Sequence, residues 1–65
     1  MEIYAEISHR LLNKIENKNY FLDFPKEVKV NRKLGSRSLY LEFDDSIKEY
    51  VVDILERNGI TWQEL

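Results

Sequence analysis

Hydrophobic positions at the start of the chain recur at helical spacing. Ile3, Ile7, Leu11 and Ile15 fall in line with Tyr4 and Leu12 beside them, while Glu2, Glu6, Arg10, Lys14 and Glu16 lie off the stripe. The spacing predicts an amphipathic helix of about four turns. On its surface Glu6–Arg10 attracts and Arg10–Lys14 repels, so side-chain charge adds little to it. Asn17 and Asn19 are residues that tolerate the left-handed conformation closing a helix.

Beyond the helix the period shortens to two. Tyr20, Leu22 and Phe24 alternate with Phe21 and Asp23 until Pro25, which lacks the N–H a ladder needs, and this reads as a short strand. Val28, Val30 and Leu34 then face one way, with Lys29, Asn31 and Lys33 facing the other. Gly35-Ser36 supplies a turn. The return strand puts Leu39, Leu41 and Phe43 on the core face and Tyr40 and Glu42 on the opposite one, which together make a β-hairpin.

The last helix is announced by Ser46-Ile47-Lys48-Glu49, the spacing of a capping box, with Asp44 and Asp45 where a helix dipole favours anions. Ile47, Tyr50, Val51, Ile54 and Leu55 draw one apolar stripe. Arg57-Asn58-Gly59-Ile60 gives a cation in the last turn, a glycine for the left-handed cap and the hydrophobic residue that follows such caps. Thr61 to Glu64 repeats the capping spacing and predicts at most one further turn.

The expected fold is a single α+β domain over residues 1–65, in the order helix, two or three antiparallel strands, helix, with both helices on one face of the sheet. The connections look too short for a parallel crossover. The other face, with Lys29, Lys33, Tyr40 and Glu42, is expected to be bare. The expected core joins Ile7, Leu11, Ile15, Val30, Leu39, Leu41, Phe43, Val51 and Ile54.

Composition narrows the functions open to such a domain. A chain of 65 residues buries only roughly 60% of the surface that its unfolded form exposes, so its stability is marginal and self-association through the bare face or a strand edge is expected. It has no cysteine and one histidine, His9, which removes disulfides and thiolate metal sites and leaves no histidine cluster for zinc. No metal and no cofactor is expected. The N-terminal segment has no signal-like apolar run, nothing is long enough to span a membrane, and a cytoplasmic protein is expected.

Catalysis finds little support in these residues. Ser8 and His9 are sequence neighbours that point about 100° apart on a helix and cannot form a nucleophile–base pair. Asp44 and Asp45 are explained by the helix start. Gly35 and Gly59 are the only glycines and each has a turn or cap role, so there is no phosphate-binding loop.

Charge is more telling. Residues 26–37 carry Lys26, Lys29, Arg32, Lys33 and Arg37 against Glu27, whereas residues 38–65 carry seven acids against Lys48 and Arg57. The chain is a dipole despite its net charge of −2. Lysines on an edge strand commonly serve only to block aggregation. As a working surface, Lys29, Arg32, Lys33 and Arg37, with Tyr40 beside them, are the candidate partner-binding residues, and Trp62 is either core or an interface anchor.

The stretch "NKNYFLDF" following a helix resembles the helix-to-sheet start of some small phage inhibitors of CRISPR nucleases, a likeness that transfers no site residue. The function expected is that of a small non-catalytic protein-binding module, of the kind phages and mobile elements encode, acting by occluding a partner. The alternatives are nucleic-acid binding through residues 26–37 with Tyr40, disfavoured by a pI near 5.3, and a purely structural homo-oligomer.

Overall fold

In a computed structural model, residues 1–18, 23–33 and 35–65 are described. The chain is α+β, with a four-stranded antiparallel sheet and two helices. Strand β1 spans Glu2–Glu6, helix α1 His9–Lys18, β2 Lys29–Asn31, β3 Ser38–Glu42, helix α2 Lys48–Arg57 and β4 Thr61–Glu64. The strands lie in the order β2-β3-β1-β4 and every neighbouring pair is antiparallel. That pairing makes β1 parallel to β2 and β3 parallel to β4, each pair separated by one strand and joined through a helix. The connections expected to be too short for a parallel crossover therefore make two, interleaved as in the split β-α-β arrangement of ferredoxin-like sheets.

The first segment corrects the single-helix reading. Residues 2–6 form a strand because Ile3, Ala5 and Ile7 are fully buried in alternation, while Glu2, Tyr4 and Glu6 turn the other way. The helix starts only at Ser8, whose hydroxyl accepts the Leu11 N–H at 3.1 Å. Ile7 before that cap and Leu12 in the first turn are both buried in the same cluster, the arrangement of a hydrophobic staple. The strand expected over residues 20–24 falls for the most part outside the described residues. Asp23 and Phe24 belong to no element, and Phe24 packs against the core.

In the hairpin, Val28 is buried just ahead of β2, and β3 turns Leu39 and Leu41 inward and Tyr40 and Glu42 outward, as the alternation implied. Val30 departs from the expected core. It lies opposite Leu41, on the helix side of the sheet, yet is 45% exposed, because β2 is the edge strand. The turn closes through Ser36 N–H to the Lys33 carbonyl at 3.0 Å, with Gly35 at φ 82°.

The start of α2 also differs from the capping-box reading. Asp44, not Ser46, is the cap: its carboxylate accepts the Ser46 N–H at 2.9 Å and opens a 3₁₀ turn over Asp45–Ile47 that leads into the helix. That hydrogen bond holds the Asp44 carboxyl below its ordinary value. Tyr50 leaves the expected stripe and is exposed, while Val51, Ile54 and Leu55 are buried. The C-terminal end is the Schellman closure that the sequence implied. Gly59 N–H reaches the Glu56 carbonyl at 3.1 Å and Ile60 N–H the Leu55 carbonyl at 2.9 Å, with Gly59 at φ 66° and Ile60 buried. The tail beyond is not a helical turn. It extends as β4 beside β1, which supplies a strand ladder that a lone final turn would lack.

One cluster joins Leu12 of α1 with Val51 and Leu55 of α2 to Ile3, Ala5, Leu39, Leu41 and Phe43, so both helices cover the same face of the sheet. Leu11 and Ile15 are partly buried at its margin. No helix among the described residues is long and apolar enough to cross a membrane.

Candidate functional site

The helix-free face takes its side chains from the alternate residues of each strand. The register sets Lys29 and Asn31 of β2, Ser38, Tyr40 and Glu42 of β3, Glu2, Tyr4 and Glu6 of β1, and Thr61 and Gln63 of β4 on this side. At its centre Tyr4 and Tyr40 face each other across the two middle strands, their ring centroids 5.2 Å apart and their planes tilted by 50°. Such tilted aromatic pairs gain stability beyond the area they bury.

The two rings play different parts. Tyr4 is half-buried and its hydroxyl lies 3.2 Å from the Ser38 hydroxyl and donates to Glu6 at 3.3 Å, which locks it in place. Tyr40 is 51% exposed. A rigid ring thus supports an exposed one. Beside Tyr40 an open groove of about 400 Å³ is lined by Asn31, Arg32, Lys33, Ser36 and Ser38.

The expected site residues are distributed as follows. Lys29, Arg32, Lys33 and Tyr40 come together at the β2 end of this face. Lys29 sits opposite Glu42, a pairing of opposite charges across the strands. Arg32 turns onto its own loop, donating to the Lys33 carbonyl at 3.3 Å and the Ser36 carbonyl at 3.4 Å. Lys33 is exposed and forms no ion pair among the described residues.

Arg37 is bound inward. It donates to the Ile7 carbonyl at 2.8 Å and to the Glu6 carboxylate at 2.9 Å, and lies 3.5 Å from the His9 ring, tying the hairpin to the junction of β1 and α1. Trp62 is remote from the group. It lies on the helix side of β4, three strand spacings or roughly 14 Å from β2, and it is partly buried against the core.

Two contributors escaped the sequence reading. Tyr4 is expected beside a helical stripe and not on a strand, and Leu65, 63% exposed, lies beyond the single turn expected over Thr61 to Glu64. Leu65 donates its N–H to the Glu2 carbonyl at 3.0 Å, which continues the β4 ladder and brings it alongside Glu2 on the open face. The alternation Glu2-Ile3-Tyr4-Ala5-Glu6-Ile7 was the signal available for Tyr4.

Comparisons of the chain with protein-family models, curated proteins and solved structures gave no match.

Proposed function

We propose that this chain is a non-catalytic binding module whose working surface is the helix-free face of its sheet, and that its partner is a protein. The observation that carries this reading is the Tyr4–Tyr40 pair, in which a hydrogen-bonded ring holds an exposed one at the centre of the face. Tyrosine and arginine are enriched at protein interfaces, where a rigid aromatic anchor loses little entropy on binding. The charges around it are mixed. Arg32 and Lys33 flank Tyr40 at one end of the hairpin, and Lys29 lies at the other beside Glu42 and Glu2, a pattern that suits a partner with acidic groups opposite the hairpin loop. A module of this kind acts by covering its partner's surface, and a phage or mobile-element accessory protein is one setting in which such occlusion serves.

A second reading has its own support. One class of RNA-binding module is a four-stranded sheet that stacks bases on aromatic rings of its strands, and Tyr4 and Tyr40 sit on the two central strands here. It ranks lower because Glu2, Glu6 and Glu42 share the face and the chain is acidic.

Site-specific photo-crosslinking separates the two. A benzoylphenylalanine at position 40 should trap one protein from the host, in competition with unlabelled parent protein, while the same group at Tyr50, exposed on α2, should trap none. Equal trapping at both positions would remove the open face as the working surface. Tyrosine-dependent binding of an oligouridylate without protein capture would establish the second reading in place of the first.

A further inference from the structure

The free edge of β4 lies across the sheet from the basic hairpin. β4 pairs with β1 alone among the described strands. The bond from Leu65 N–H to the Glu2 carbonyl fixes the alternation of that ladder, so residues 61, 63 and 65 direct their backbone groups at β1 and residues 62 and 64 direct theirs outward. The side chains of Trp62 and Glu64 fall on the helix side, because they lie opposite the buried Ala5 and Ile3. Outward peptide groups and helix-side side chains thus belong to the same two residues.

Between this edge and α2 runs a groove of about 420 Å³ lined by Lys48, Glu49, Val52, Asp53, Glu56 and Trp62. Its charges are unevenly matched. Lys48 is neutralised by Glu64 at 2.8 Å and Asp53 by Arg57 at 2.8 Å. Glu56 accepts only the Trp62 indole N–H, at 3.4 Å, and neither it nor Glu49 has a cation partner among the described residues. Seven residues apart, they share one face of the helix.

We propose that this groove takes an extended peptide that adds to β4 as a fifth strand and carries Lys or Arg at alternate positions. Strand addition satisfies the outward groups of Trp62 and Glu64, and alternate side chains then enter the groove. There a cation meets Glu49 and Glu56 and the exposed part of the indole, a surface that attracts cations. The two edges of the sheet are treated differently: β2 carries Lys29, whereas Thr61-Trp62-Gln63-Glu64 has neither the lysine nor the proline that commonly blunts an edge. A second copy pairing through its own β4 would bring Glu49 and Glu56 of both copies, without a cation partner among the described residues, to one seam, so charge favours a basic peptide over self-pairing.

Trp62 is the only tryptophan, so its emission reports occupancy directly. The probe is an end-blocked peptide of about eight residues alternating Lys and Val, titrated beside a Glu-Val counterpart and a Lys-Val peptide N-methylated on the amides that face β4. A saturable change is expected with the Lys-Val peptide alone. Glu49→Gln/Glu56→Gln, both at exposed helix positions, should weaken it by about tenfold with an unchanged circular dichroism spectrum. Tyr40→Ala should leave it intact, which keeps this site separable from the open face. Equal binding of the N-methylated peptide would reduce the effect to charge adsorption and overturn the proposal. So would a failure to respond at millimolar peptide, or an emission change that follows protein concentration without peptide, which would assign the groove to a second copy.

Discussion

Leu41 and Val30 face each other across β2 and β3, yet their environments differ sharply: Leu41 is 1% exposed and Val30 45%. Leu41→Ala should therefore cost roughly 2 to 5 kcal/mol, since it leaves a cavity among Ile3, Leu39 and the helices, whereas Val30→Ala should stay within about 0.5 kcal/mol. Urea unfolding of the two variants checks this, and equal losses would contradict the placement of β2 at the edge. Asp44 makes a second single-residue prediction. Its carboxyl is held low chiefly by the Ser46 N–H, so the anion is stabilised in the folded chain. That contribution is fully present above the ordinary carboxylate value of 3.8 and is lost as the pH falls through the lowered one. The gap in melting temperature between parent and Asp44→Ala should be open at neutral pH and close in acid; a gap independent of pH would show that the cap does not act as an anion.

At the scale of elements, Gly59 decides where the last strand goes. At φ 66° it ends α2 and reverses the chain so that β4 can pair with β1, and a Cβ there would meet nothing within 4 Å. Gly59→Ala should thus carry only the backbone cost of a left-handed L-residue, about 1 to 2 kcal/mol. A loss well beyond that would mean that the turn rearranges and takes β4 with it. The closure itself was legible, because glycine followed by Ile60 has a local physical meaning. The β3 alternation and the α2 stripe from Val51 to Leu55 were legible for the same reason. β1 was not, because Ile3 and Ile7 are four apart and satisfy a helix and a strand equally; Ala5 and the Ser8 cap break the tie, and both are small signals. β4 was hidden for another reason. A strand of four residues is defined by its partner, and β1 lies more than fifty residues away in the chain. The site inherits these limits: Tyr40 was found from its own strand, whereas Tyr4 enters only once β1 is known to lie beside β3.

Across the whole molecule, the strand order turns a sequence asymmetry into a spatial one. Lys29, Arg32 and Lys33 gather at the β2 edge, while acids of α2 and β4 gather toward the opposite edge of the sheet. Fields of this kind act beyond contact distance at low salt and fade once the Debye length, about 10 Å at 0.1 M, becomes shorter than the separation. Arg37 is committed to Ile7 and Glu6 and belongs to the scaffold, so reversal is best confined to Lys29 and Lys33, which lie exposed on the surface. With the protein trapped through position 40 as ligand, Lys29→Glu/Lys33→Glu should slow association several-fold at low salt and leave dissociation nearly unchanged, because exposed charges steer encounter more than they hold a complex. The difference should vanish on raising the salt. Single-stranded nucleic acid would behave otherwise: each neutralised phosphate adds about −0.7 to the slope of log affinity against log salt, so contacts from Lys29, Arg32 and Lys33 would give roughly −2. The double reversal should then flatten that slope by about two-thirds, in proportion to the contacts removed. If association rates and salt slopes of parent and variant coincide, the basic edge is a solvated guard against aggregation, and the partner is gripped by the tyrosine pair without help from the hairpin.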